Sequence, residues 1–250
     1  MKYLIANWKM HPDSADEAAQ LAHSVEQGLL GVENLEIVLC PPFPYLNAVK
    51  EATDKIHLGA QDVSAFEPGA YTGQVSANQL KNLSVSHCIV GHSERRNFAH
   101  ETEEDISKKI DRCLETGIIP VVCLGSGLKP DDSDATIKSV LRKQFQAYLH
   151  GKSFGALLLT YEPTWAISSS GSGRVPTGKH VKEMADFLKE LISEEHISEY
   201  SILYGGSVNS RDVTNFPGVD GYLVGAASLN GEEFIALGRA ISNFQFLNNY

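Results

Sequence analysis

The sequence predicts an α/β fold, a single (β/α)8 barrel over residues 1–250, on three observations. Short apolar runs alternate strictly with segments whose apolar residues recur at helical spacing, which means a parallel sheet with helices outside it. The alternation repeats eight times in 250 residues, with no low-complexity linker and no break in composition. That count suits a closed barrel better than an open doubly wound sheet, and no G-x-G-x-x-G follows the first strand.

Leu4–Ala6 reads as the first strand, ending in Asn7-Trp8-Lys9. Ser14-Ala-Asp-Glu17 has the form of a capping box, and Ala18, Leu21, Ala22, Val25 and Leu29 follow at helical spacing. Leu35–Cys40 is the second strand, stopped by Pro41-Pro42, with a short helix around Leu46–Glu51. Ile56–Ala60 is the third, followed by a polar loop, Gln61–Gln74, and a helix near Ala77–Leu83. The fourth, His87–Val90, feeds Gly91-His-Ser-Glu-Arg-Arg96. Thr102-Glu-Glu-Asp105 caps a helix carrying Ile106, Ile110, Cys113 and Leu114, which Gly117 ends before the fifth strand, Ile118–Leu124. Ile137, Val140, Leu141, Phe145, Tyr148 and Leu149 share one face of the next helix. The sixth strand opens with four apolar residues from Ala156, so both of its faces are buried, and it delivers Glu162 just before Pro163. Ser168–Gly173 has the composition of a lid, and Val181, Met184, Ala185, Leu188, Leu191 and Ile192 then mark the longest helix. Ser201–Tyr204 runs into Gly205-Gly206-Ser207, Gly221–Val224 into Gly225-Ala226, and Glu232–Ile241 closes the chain.

The apolar fraction, 42%, and the charged fraction, 21%, are those of a soluble globular domain. A net charge of -10 argues against nucleic acid and shows no basic stripe for a membrane surface. It leaves a small anionic substrate open, because a few amides and one lysine set the field inside a site. The apolar run at the start is too short for a signal peptide, and nothing approaches a membrane span. Cys40, Cys88, Cys113 and Cys123 are widely spaced without a C-x-x-C, so buried free thiols and a cytoplasmic location are expected. In that compartment the glycosylation-like Asn82-Leu-Ser84 is idle.

Barrels of this kind carry their active sites at the carboxyl ends of the strands. Strand one delivers Asn7 and Lys9 there, strand four His92, Ser93 and Glu94, and strand six Glu162. Strands seven and eight deliver Gly205-Gly206-Ser207 and Gly225-Ala226, where bare backbone amides can hold a phosphate. Taken singly, Lys9 reads as a solvated lysine, His92 as a capping or core residue, and Glu162 as a structural carboxylate. Gathered at one end of one barrel, they suit proton transfer next to a carbonyl on a phosphorylated substrate. The other histidines show no metal-ligand spacing, so no metal is expected.

Nearly end to end, the sequence resembles the triosephosphate isomerase family. The resemblance runs through Asn7-Trp8-Lys9, Gly59-Ala60-Gln61, Tyr71-Thr72-Gly73, Gly91-His-Ser-Glu-Arg-Arg96, Tyr161-Glu-Pro163, Trp165-Ala-Ile167, Tyr204-Gly-Gly-Ser207 and Asp220-Gly-Tyr-Leu-Val-Gly225. It implies a TIM barrel that interconverts dihydroxyacetone phosphate and D-glyceraldehyde 3-phosphate without a cofactor. In that reading Glu162 is the base, a neutral His92 polarises the carbonyl, and Lys9 holds the substrate's negative charge, with Asn7 beside it. Ser93, Glu94 and Tyr204 support these groups, and Tyr204 and Ser207 also latch a closing lid. Ser168, Gly206, Ser207, Gly225 and Ala226 supply the phosphate amides. The resemblance further implies a homodimer through the Gln61–Gln74 loop.

The chain also departs from the family pattern. Its lid reads Ser168-Ser-Ser-Gly-Ser-Gly-Arg-Val-Pro176, one residue longer than usual, with Ser168 at a position the family gives to glycine. Ala226 replaces the second glycine of a Gly-Gly pair and is expected to crowd the phosphate slightly. Ser126 stands where glutamate is common, which removes an expected partner for Arg95 or Arg96, and Gln74 replaces a glutamate in the dimer loop. Two alternatives stay open on the sequence: an isomerase of another small sugar phosphate, and a phosphate-binding barrel with impaired lid closure.

Overall fold

The structure, a computed structural model, describes residues 1–167 and 174–248, with side chains in the last helix described as far as Asn243. Eight parallel strands close on themselves in sequence order. They are β1 (Lys2–Asn7), β2 (Leu35–Cys40), β3 (His57–Ala60), β4 (His87–Val90), β5 (Ile119–Leu124), β6 (Leu157–Tyr161), β7 (Tyr200–Gly205) and β8 (Gly221–Val224). β1 is paired on both sides, Leu4 opposite Ile37 of β2 and Tyr3 opposite Gly221 of β8, and this second pairing closes the barrel. Because side chains alternate along a strand, each strand serves two cores. Ile5, Val38, Ile89, Val121, Leu158, Leu203 and Leu223 fill the barrel, while neighbours such as Leu4, Ala6 and Leu39 pack against the helices.

The helices are α1 (Ala15–Leu29), α2 (Leu46–Ala52), α3 (Ala77–Asn82), α4 (Ser93–Phe98), α5 (Glu103–Thr116), α6 (Asp134–Leu149), α7 (Gly178–Glu194) and α8 (Gly231–Asn248). Among the described residues α8, at 18 residues, is longer than α7, at 17, so the expected longest helix is the second. Thr102 and Asp105 form the reciprocal cap expected of α5, and Gly117 ends that helix in the left-handed region at φ 68°. At α1 only half of the expected box exists: Ser14 accepts from the Glu17 amide at 3.2 Å. The charged sequence Ser93–Phe98 carries no apolar stripe and nonetheless forms a short helix. His92 starts it, its ring nitrogen Nδ1 accepting from the Glu94 amide at 3.2 Å. None of the described helices is long and apolar enough to cross a membrane.

Loops at the carboxyl ends of the strands are tied down by side-chain hydrogen bonds to the backbone. Glu233 on α8 accepts from the Ser210 amide at 2.6 Å and from its hydroxyl at 3.1 Å, anchoring the loop after β7. At the opposite end of the barrel, His87 is only 4% exposed. Its Nδ1 lies 2.9 Å from the Ser86 hydroxyl, and its Nε2 is buried without a hydrogen-bond partner among the described residues. The rings of His57 and Tyr3 meet it edge-on at 5.5 and 6.4 Å, and His57 in turn contacts Glu36 at 2.7 Å. Burial, reinforced by His57, lowers the His87 pKa from 6.5 to about 4.

Candidate active site

The carboxyl ends of the strands surround a cavity of about 340 Å³. Asn7, Lys9, His92, Glu162, Gly206, Ser207, Gly225 and Ala226 all line it, while Ser93 and Glu94 stand behind it against Glu162 and Lys9. Ser168 and the expected lid, Ser168–Gly173, lie outside the described residues.

Lys9 follows β1 with φ +52°, a left-handed conformation that a side chain disfavours and that its surroundings must hold in place. Three contacts do so. The Lys9 amide donates to Asn7 Oδ1 at 3.1 Å, Gln61 Nε2 donates to the Lys9 carbonyl at 2.7 Å, and Lys9 Nζ pairs with Glu94 Oε1 at 2.5 Å. Gln61 also donates to the Cys40 carbonyl at 2.9 Å, joining the ends of β1 and β2. The sequence places Gln61 in a motif and at the start of the expected dimer loop, but not in contact with Lys9. Its place one residue beyond β3 is the signal that could have found it.

Glu162 stands immediately beyond β6 and is 2% exposed. A bare carboxylate at that depth would be strongly disfavoured, so it needs donors. The Ser93 hydroxyl donates to Oε1 at 3.0 Å, the Ser93 amide reaches Oε2 at 3.4 Å, and His92 Nε2 lies 3.0 Å from Oε1. Because His92 Nδ1 accepts from the Glu94 amide, its proton is on Nε2, facing Glu162 and the cavity. Cys123 lies next to the carboxylate. Burial pushes its thiol well above its ordinary pKa, and the negative charge of Glu162 adds to the effect.

On the other side of the cavity, Ser207 donates from both its amide and its hydroxyl to the Ala166 carbonyl, at 3.0 and 2.9 Å. The loop after β7 is thereby tied to the short 3₁₀ turn, Thr164–Ala166, that follows Glu162. Ala226 opens a second such turn, Ala226–Leu229, and sits exposed at the cavity edge with a negative φ. A methyl group there is compatible with the backbone and does not close the cavity. The Tyr204 hydroxyl is buried and has no hydrogen-bond partner among the described residues. Arg95 finds Asp62 at 2.9 Å and Glu101 at 2.6 Å, and Arg96 donates to the Tyr148 hydroxyl while lying over its ring. Both arginines are therefore satisfied without a glutamate at position 126. Among the described residues no group of His, Cys, Asp and Glu is arranged to hold a metal ion.

Proton transfer beside a carbonyl, with an anion held at the far wall, is the chemistry this pocket suits, and it puts the protein in the class of barrel isomerases acting on small sugar phosphates. Comparison with known proteins narrows the class. Residues 2–241 match the profile of the family described as Triosephosphate isomerase, and the chain belongs to that family. It is similar to the triosephosphate isomerase of Cupriavidus taiwanensis, with 38% identity over 250 residues covering 96% of this chain and 99% of the relative. The enzyme of Thermus thermophilus is 40% identical over 243 residues, covering 92% and 95%. That of Dictyoglomus thermophilum is 38% identical over 245 residues, covering 93% and 96%.

Proposed function

We propose that the chain interconverts dihydroxyacetone phosphate and D-glyceraldehyde 3-phosphate by moving one proton between adjacent carbons, with Glu162 as the base. The observation that carries this is the buried Glu162 carboxylate, held 3.0 Å from His92 Nε2 at the wall of the cavity. Glu162 takes the proton from the carbon beside the carbonyl, while His92 gives its Nε2 proton to the carbonyl oxygen. The resulting enediol(ate) returns a proton from its other oxygen to His92, and Glu162 delivers its proton to the neighbouring carbon. Atoms and electrons balance within the substrate, so no cofactor takes part. Lys9 and Asn7 stabilise the negative charge that develops on the oxygens, and Glu94 holds the lysine in place. Gly206, Ser207, Gly225 and Ala226 offer amides to the phosphate; in the same reading the Ser168 amide caps it and Tyr204 latches the lid. An arriving phosphate competes with the Ala166 carbonyl for the Ser207 amide, so its binding loosens the segment behind the base.

A coupled spectrophotometric assay of glyceraldehyde 3-phosphate turnover, with Glu162→Gln as control, tests the proposal. Turnover that is lost in the control supports both reaction and base. Unchanged turnover in the control would remove Glu162 from the mechanism.

We also infer that two copies of the chain pair. A groove of about 590 Å³ adjoins the active-site cavity, shares Asn7, Lys9 and His92 with it, and is flanked by Met10 and Phe98, which are 88% and 80% exposed. The polar loop after β3 carries Phe66 stacked on Tyr71, with ring centroids 4.3 Å apart and both side chains exposed. Its base is stapled by the Ser64 amide donating to the Val75 carbonyl at 2.8 Å. The loop of a second copy is the occupant that this groove suits. Light scattering should give a dimer that Met10→Glu combined with Phe98→Glu dissociates, and a wild-type monomer would refute the pairing. The reading includes a cytoplasmic setting, which the four buried thiols support.

A further inference from the structure

Gln144 lies in α6, a helix that contributes no residue to the active-site cavity, and it is 5% exposed. Both ends of its amide engage one turn: Oε1 accepts from the Gly125 amide at 2.8 Å, and Nε2 donates to the Ser126 carbonyl at 2.9 Å. That turn, following β5, holds the segment that carries Glu162. The Glu162 amide donates to the Leu124 carbonyl at 2.7 Å. Thr164 Oγ1 donates to the Gly125 carbonyl at 3.2 Å and accepts from the Gly127 amide at 3.1 Å. The backbones are in close contact as well, since a Cβ on Gly125 would lie 2.6 Å from the Glu162 carbonyl oxygen.

The turn has little stiffness of its own. Gly125 and Gly127 stand at φ +115° and +86°, where glycine restricts the chain least. The side-chain contacts of Glu162 cannot set its aim throughout the reaction either, because its bonds to Ser93 and His92 must be exchanged when the carboxylate turns to a substrate. A fixed reference has to come through the backbone. A buried side chain that is at once donor and acceptor, matched to one N–H and one C=O of the turn, supplies it.

We propose that Gln144 is a positioning residue for the isomerisation: it fixes the turn from Gly125 to Gly127 and, through it, the backbone that aims Glu162. The proposal rests on Glu162 being the base. Because a 1 Å misplacement of a reacting group costs roughly 100-fold, a displacement of a few tenths of an ångström should cost about 10-fold in kcat.

Gln144→Met keeps the volume and removes both hydrogen bonds. It should lower kcat about 10-fold while KM and competitive inhibition by inorganic phosphate stay within about two-fold, since Glu233 on α8 anchors the loop after β7 independently of this turn. Gln144→Glu supplies a second readout. Protonated, its carboxyl group can again donate to Ser126 and accept from Gly125, so its kcat relative to wild type should rise as pH falls, while the Gln144→Met ratio stays flat. Leu141→Ala, on the same helix and fully buried, controls for general loosening of α6. A Gln144→Met kcat within two-fold of wild type, or an equal loss in Leu141→Ala, overturns the proposal. Should Gln144→Met fail to fold, a pH-independent Gln144→Glu ratio overturns it instead. An active Glu162→Gln would sink the base assignment itself, whereas an inactive Glu162→Gln beside an unaffected Gln144→Met would sink only the role of Gln144.

Discussion

Acid should destabilise this fold through one residue far from the active site. His87 has a pKa of about 4 in the folded chain against 6.5 when unfolded, chiefly because it is buried. Between those values the unfolded chain binds a proton that the folded chain refuses. Stability is therefore fully present above pH 6.5 and is lost progressively as pH falls to about 4, below which the loss levels off. At about 1.4 kcal/mol per unit the total is about 3 kcal/mol, a large share of a typical domain's stability. Three titratable groups face the ring or its neighbour: Tyr3 from β1, Glu36 from β2 and His57 from β3. Among the described residues the Ser86 hydroxyl is its one hydrogen-bond partner. Urea unfolding of wild type and His87→Gln at fixed protein concentration, from pH 7.5 to 4, isolates the term because every other group titrates in both proteins. The wild type should lose about 3 kcal/mol more than the variant over this range. Parallel stability profiles would show that His87 titrates alike in both states, and the argument from burial would fail.

Two further perturbations act on Glu162. Glu162→Asp withdraws the carboxylate by roughly 1 Å, beyond reach of the partners now 3.0 Å away, and kcat should fall about 100-fold in the coupled assay. Activity within a factor of two would mean that another group takes the proton. Gly125→Ala forces a Cβ against the Glu162 carbonyl at a φ that side chains disfavour. It should cost about 1–3 kcal/mol in thermal unfolding and lower kcat more than it changes KM. A variant with wild-type melting and kcat would refute the contact.

The strands and the chemical groups at their ends were legible because both obey short-range rules. An apolar run marks a strand, its last residue marks the mouth of the barrel, and Asn7, Lys9, His92 and Glu162 follow from that alone. What was not legible depends on distance in space. Nothing around Gln144 in the sequence distinguishes it from any polar residue on a helix, because its partners, Gly125 and Ser126, are set by how α6 lies over β5. The left-handed backbone of Lys9 escaped notice for a related reason: it is sustained by Gln61, from the end of β3. The reciprocal cap of Ser76 and Gln79 on α3 was missed although both residues stand at the right spacing. At Ser14 the same pattern produced only one of the two bonds, since a box requires the glutamate to fold back and here Glu17 does not.

The pairing of Tyr3 with Gly221 also bears on how the chain is made. Of the eight barrel strands β1 is synthesised first and its second neighbour, β8, last. Until then one edge of β1 has no partner, and its row of amides and carbonyls can recruit any other extended chain. Closing the ring requires contacts between residues more than 200 positions apart, the slowest kind to form. Once closed, the barrel has no free edge at all. The aggregation hazard of this protein therefore belongs to the unfinished chain, and a truncation just before β8 should be far less soluble than its small loss of mass suggests.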